Sequence, residues 1–183
     1  MNHDTQPGQT VATPISDFFK PLAYSLILLR QGGYPSIFFG DLYGLQPSQS
    51  TKEGCPAPPS CSGKLPDLIL ARQLYANGMQ EDYFERENCI GWVRRGTTEK
   101  PHGCAVVLSN AEEDELRCCV GSEHRGEVWT DILDWADREV TIDDDGWGVF
   151  AVGPTSCAVY VNREAEGRDR FPVEFDTNIY ESV

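Results

Sequence analysis

The strongest chemical signal in the chain is Asn2-His3-Asp4-Thr5. A histidine beside an aspartate, followed by Gln6 and the chain breakers Pro7 and Gly8, has the composition of a loop that offers a hydrogen-bond donor and a carboxylate to a substrate. A second carboxylate of interest, Asp41, follows the short apolar run Tyr34 to Phe39. Glycoside hydrolysis needs two carboxyl groups about 5–9.5 Å apart across the scissile bond. Asp4 and Asp41 meet that need only if their segments end adjacent strands.

The elements around these residues could place them so, but without the rest of a barrel nothing orients the pair or excludes water. Thr13-Pro14 reads as a helix start, with Thr as N-cap and Pro at the first helical position. Ile15, Phe18, Phe19, Leu22, Leu26 and Leu29 follow at three- and four-residue steps, and Gly32-Gly33 ends the helix. Tyr34 to Phe39, bounded by glycines, reads as a parallel strand buried on both faces, with Asp41 just past its C-terminal end. Residues 45–64 are rich in Pro, Ser, Gln and Gly and read as a surface loop. Lys64 to Asn77 carries a second helical period, with Pro66 in the first turn and Asn77-Gly78 as the stop.

Beyond residue 80 the period falls to about two. Strands are expected at Cys89–Arg95, Cys104–Ser109, Leu116–Val120, Val128–Leu133, Glu139–Ile142, Trp147–Val152 and Ser156–Val161. Short strands at this spacing form an antiparallel sandwich. The tail from Asn162 has no period and is expected to be flexible. The fold class expected is therefore α/β plus all-β. Residues 1–79 would be the last βα units of a (β/α)8 barrel, 80–163 an antiparallel β C-terminal domain, and 164–183 a tail.

The net charge is −14 over 183 residues. That balance argues against nucleic acid or an anionic membrane as partner, since both need a basic face, and does not penalise a neutral sugar. Residues 1–20 lack the basic start and apolar core of a signal peptide, which slightly favours a cytoplasmic over a secreted location. Of the seven cysteines, Cys55 and Cys61 flank a proline-rich loop and either close a small ring or stay reduced. Cys118-Cys119 lies in a strand, so one of the two should be buried. No cysteine or histidine spacing fits zinc. Asp143-Asp144-Asp145-Gly146 lacks the alternating ligands of a calcium loop and reads as a turn. Trp129, Trp135 and Trp147 are either a sugar-stacking platform or core, and core is the commoner role for aromatics on strands.

With the elements placed, the chain resembles the alpha-amylase family of glycoside hydrolases, closest to the liquefying bacterial type and the fungal enzymes like it. Asn2-His3-Asp4-Thr5-Gln6-Pro7-Gly8-Gln9 resembles the signature region at the end of barrel strand seven. Gly33-Tyr34-Pro35 through Gly44 resembles the eighth strand and its loop, and Ala71-Arg72-Gln73-Leu74-Tyr75-Ala76-Asn77-Gly78 the eighth helix. Ile90-Gly91-Trp92 and Gly146-Trp147-Gly148-Val149-Phe150 resemble strands of the C-terminal domain. The resemblance implies endo-hydrolysis of α-1,4-glucosidic bonds in starch or glycogen with retention, in a monomer. It implies that Asp4 is the third acidic residue, holding and distorting the sugar, and that His3 donates a hydrogen bond to that sugar's hydroxyls. The family's nucleophile and general acid come from earlier strands, so this chain alone is expected to be inactive. Calcium is the family's cofactor, with most ligands outside this chain. Glu87, Asn88 and Asn110 stand where relatives carry a His-Asp pair and an Asp that bridge barrel and C-terminal domain through a metal. A non-catalytic glucan-binding or partner-binding β-domain is the alternative, and a truncated gene model with no independent product a third.

Overall fold

A computed structural model describes residues 2–6, 11, 13–45 and 57–179. Three α-helices precede eight strands: α1 (Lys20–Leu29), α2 (Phe39–Tyr43), α3 (Leu65–Leu74), β1 (Gln80–Tyr83), β2 (Cys89–Arg94), β3 (Cys104–Ser109), β4 (Asp114–Cys119), β5 (Val128–Asp131), β6 (Val140–Thr141), β7 (Trp147–Val152) and β8 (Ser156–Asn162). One sheet has the order β1-β2-β3-β8-β5-β6 and the other pairs β4 with β7. Every ladder among these named strands is antiparallel.

The six-stranded sheet is the middle of three layers. Its alternating side chains divide between two cores, as the pleat requires. Cys104, Val106 and Leu108 of β3, with Cys157, Val159 and Val161 of β8, face α1 and α3 and pack with Leu28, Leu29, Leu65, Leu68 and Ala71. Ala105, Val107, Ala158 and Tyr160 face the β4–β7 pair and pack with Leu116, Cys118, Phe150 and Val152. This double coverage explains why β3 is buried at every position and reads as a continuous apolar run.

The mostly antiparallel sandwich agrees with the expectation, and β3 and β7 begin and end where the two-residue period places them. Four local expectations do not. Thr13-Pro14 does not start the helix: a 3-10 turn spans Asp17–Phe19 and α1 begins at Lys20, with Pro21 in its first turn. Residues 34–38 form no strand and lead instead into α2, whose first residue is Phe39. A strand is stable only against a partner that completes its hydrogen bonds, and no described segment runs beside this one. Strand β1 carries no period-two signal because Gln80-Glu81-Asp82-Tyr83 lacks an apolar face; it is a charged edge strand paired with β2. The segment after Asn162 folds back. Phe171 is buried against Tyr75 with ring centroids 6.0 Å apart. The Val173 N–H donates to Asp67 Oδ1 at 2.7 Å, and Tyr75 Oη donates to the Glu166 carbonyl at 3.0 Å.

Helix α1 ends without a glycine cap. Its last carbonyls would be orphaned, but Trp92 Nε1 and Arg94 donate to Leu29 O at 3.3 and 3.1 Å, and Arg72 donates to Leu28 O. The sheet thus terminates the helix that packs on it. At Gly78, with φ +75°, an added Cβ would lie 1.7 Å from the Gly96 carbonyl oxygen, so this close crossing at the start of the β-region admits only glycine.

Candidate functional site

The Asn2–Thr5 segment is a turn built by its own side chains. The Asn2 side-chain oxygen accepts from the N–H groups of Asp4 and Thr5, each at 3.0 Å, and from the Thr5 hydroxyl at 3.1 Å. The Thr5 carbonyl accepts from Thr13 N–H at 3.2 Å, which ties the turn to the chain before α1. His3 and Asp4 project outward, 84% and 68% exposed, with Nε2 3.3 Å from Oδ1. An exposed pair of this kind contributes little to stability. The two side chains lie side by side at the surface. Pro7, Gly8 and Gln9 of the same motif lie outside the described residues.

Asp41 is not available as the second carboxylate. It is 2% exposed, in the first turn of α2, and both oxygens are engaged. Tyr24 Oη donates to Oδ2 at 2.6 Å, the Ser60 hydroxyl donates to Oδ1 at 2.6 Å, and Lys20 Nζ sits 2.9 Å from Oδ1. Burial works against the Lys20 charge, but hydrogen bonds to Asp17 and Asp41 outweigh it and its pKa is raised. Burial, then the hydrogen bond to Asp41, pushes the Tyr24 phenol up as well. The network joins α1, α2 and the Ser60 segment, so Asp41 is a fastening for three elements. The strand expected over 34–39, which would have set Asp41 at a strand end, does not form.

A second buried carboxylate escaped sequence reading. Asp131, at the end of β5, is 3% exposed. Oδ1 accepts from Val159 N–H at 2.8 Å and Leu133 N–H at 3.1 Å, and Oδ2 from Trp135 N–H at 3.0 Å and Ala136 N–H at 3.1 Å. Desolvation raises its pKa against the pull of those four donors. Asp131 shapes the turn that presents Asp134 and Trp135. The only sequence signal is the position of an acidic residue at a strand end before a further apolar pair, Ile132-Leu133.

The three tryptophans do not form one platform. Trp129 is 1% exposed in the core with Phe150 and Tyr160, and its Nε1 donates to Glu127 Oε2 at 2.9 Å. Trp135 packs at the edge of the other core. Trp147 lies under the Arg117 guanidinium, 4.4 Å from the ring centroid. Asp143 closes its turn by accepting from Asp145 and Trp147 N–H at 3.0 and 2.8 Å, so it acts as a turn residue. Cys118 is buried and Cys119 half-buried, as the pleat predicts. Cys61 is a buried thiol whose pKa burial pushes up to about 12, and its considered partner Cys55 lies outside the described residues.

Glu87, Asn88 and Asn110 do come together, lining a cavity of about 130 Å³ between the start of α1 and the sheet. Their companions are Phe19, Leu22, Leu26, Ile90 and Leu108. Calcium takes six to eight oxygen ligands, carboxylates foremost. One carboxylate and two carboxamides in an apolar wall do not fit that demand. Among the described residues no group of three His, Cys, Asp or Glu side chains is arranged to hold a metal. No described helix is long and apolar enough to cross a membrane.

Comparison with known proteins adds what geometry alone does not. No family model matches the chain. The chain is 42% identical over 164 residues to an alpha-amylase of Geobacillus stearothermophilus, covering 89% of this chain and 28% of that protein. It is 41% identical over 165 residues to the cytoplasmic alpha-amylase of Escherichia coli strain K12, covering 89% of this chain and 33% of the relative. The chain therefore spans about a third of the length of the curated relatives it matches. Among solved structures, an Anoxybacillus alpha-amylase shares the fold with a TM-score of 0.58 at 16% identity, over 88% of this chain and 36% of that one.

Proposed function

We propose that this chain, a relative of the alpha-amylases that matches their C-terminal portion, supplies the last part of the catalytic barrel and the C-terminal β-domain of an endo-acting hydrolase of α-1,4-glucans. Residues 1–79 are the barrel part and 80–163 the β-domain. The observation that carries the reading is about 40% identity sustained over nearly nine-tenths of the chain.

In the retaining mechanism one carboxylate attacks the anomeric carbon and another serves as acid and then base. Asp4 and His3 act beside that pair. Their adjacent side chains, held outward by the Asn2 turn, bind the hydroxyls of the sugar at the point of cleavage. The carboxylate accepts hydrogen bonds and the imidazole donates one, which favours a distorted ring over the relaxed one. The chain by itself lacks turnover, because the nucleophile and general acid of this mechanism come from earlier barrel strands. The Glu87, Asn88 and Asn110 cavity does not suit calcium, and no step passes through a metal there. Starch, glycogen and maltooligosaccharides are the proposed ligands, and the parent is a monomer.

The test is the mass of the protein in its source cells, by immunoblot and peptide mapping. A band far above the 20.4 kDa of this chain, with peptides upstream of Met1, is the expected result. A band at that mass would favour a separate glucan-binding or partner-binding protein. Turnover of soluble starch by the purified chain would refute its proposed inactivity.

A further inference from the structure

We infer that the crevice between the start of α1 and the β-region is a binding groove for an α-glucan chain, separate from the His3–Asp4 turn. The crevice has a volume of about 690 Å³, within the range of about 300–1,000 Å³ typical of small-ligand sites. Its walls come from four places in the sequence: Asp17 and Phe18 before α1, the Pro58–Ser62 segment before α3, the turn around Trp135 and the turn around Thr155.

The lining has the two-sided chemistry of a sugar site. Phe18 is 65% exposed and Trp135 half-buried, and both face the crevice with the rings of Pro58, Pro59 and Pro154. Flat apolar rings suit the C–H faces of a pyranose. Around them stand Asp17, Asp134, Ser62 and Thr155, carboxylates and hydroxyls that match a rim of sugar hydroxyls. The lining residues include two carboxylates, of which Asp17 is paired with Lys20 Nζ at 2.8 Å, and no basic residue, which leaves a neutral polyol better placed than an anion.

The backbone supplies an independent observation. Among the described residues, four non-glycine positions have positive φ: Cys61 (57°), Ser62 (51°), Asp134 (56°) and Thr155 (44°). All four line this one crevice. Thr155 is β-branched, for which this region is a true outlier. It is held there by Thr155 N–H donating to the Ala111 carbonyl at 2.8 Å, and Asp134 is held by the Asp131 turn. Strained positions gathered from three separate segments onto one concavity mark a functional surface more readily than a packing accident.

The choice of an α-glucan among polyols rests on the proposed function. The experiment is a titration of the isotope-labelled full chain with maltoheptaose, followed by NMR and calorimetry, with cellohexaose as control. Binding is expected with shifts at the Trp135 indole, Ser62 and Thr155, and with at least tenfold weaker binding of cellohexaose. Phe18→Ala removes an exposed ring and keeps the fold, and should weaken maltoheptaose at least fivefold; Trp135→Ala should weaken it further if it folds. No binding at millimolar maltoheptaose, shifts confined to His3 and Asp4, unchanged affinity in Phe18→Ala, or equal binding of cellohexaose would each overturn the inference. These failures leave the proposed function intact, since the native mass tests that. A native 20.4 kDa protein that still binds maltoheptaose in the crevice would do the reverse.

Discussion

Asp41 is 2% exposed, with Lys20, Tyr24 and Ser60 around its carboxylate. A buried carboxylate is tolerable only when its charge is matched and its lone pairs are filled. Lys20, Tyr24 and Ser60 do both. Asp41→Ala leaves the Lys20 ammonium without one of its two carboxylate partners and should cost about 3–5 kcal/mol in urea unfolding. The same cluster sets an alkaline limit. Lys20 and Tyr24 both have folded pKa values above their ordinary 10.5 and 10.0. A raised value means that the stability contributed is complete below the unfolded pKa and lost as pH rises through the folded one. The cluster is therefore intact from neutrality to about pH 10, and stability should fall above that. A pH series of melting temperatures checks this. Lys20→Met should flatten the Lys20 part of the alkaline slope; an unchanged slope would mean that Lys20 does not report on the cluster.

At the scale of elements, what was legible in the sequence follows from how local the cause is. Strand β3 shows in the sequence because its six residues are apolar or small on both faces. Strand β7 shows because Trp147-Gly148-Val149-Phe150 follows an Asp-Gly turn. Strand β1 is hidden because an edge strand needs no apolar pattern, and α1 is shorter than its spacing suggests because Ile15 and Phe18 continue a helical period that the backbone does not follow. The polar turn at Asn2–Thr5 is local, since Asn2 accepts from its own neighbours Asp4 and Thr5. The Asp131 turn and the crevice are not, since they join residues far apart in sequence. Asp131→Ala should test that turn. It leaves four N–H groups unpaired, those of Leu133 and Val159 buried and those of Trp135 and Ala136 partly so; a buried unpaired group costs about 1–3 kcal/mol, so a loss of more than ~3 kcal/mol is expected together with a shift in Trp135 fluorescence. Gly78→Ala, facing the Gly96 carbonyl at a left-handed backbone position, should cost more than ~2 kcal/mol. A near-neutral result at either site would mean that the local backbone gives way easily.

At the scale of the whole molecule, the proposed boundary near residue 79 divides the chain by ancestry, while the packing crosses it. Trp92, Val106, Leu108, Cys157, Val159 and Val161 form the face of the six-stranded sheet that α1 and α3 cover. Burying one such side chain contributes about 1.5–3 kcal/mol, so the covered face is worth on the order of 10 kcal/mol, comparable with the entire stability of a domain. The β-region should not stand without the helices. Residues 80–183 expressed alone should bind ANS, lose near-UV dichroism and unfold without a sharp transition, the behaviour of a chain that keeps its strands and loses its packing. The full chain should unfold in one step, with far-UV dichroism and tryptophan fluorescence coinciding across a urea series. A sharp, reversible transition in the 80–183 piece would show that the β4–β7 layer and its core suffice, and that the helices rest on a domain already complete.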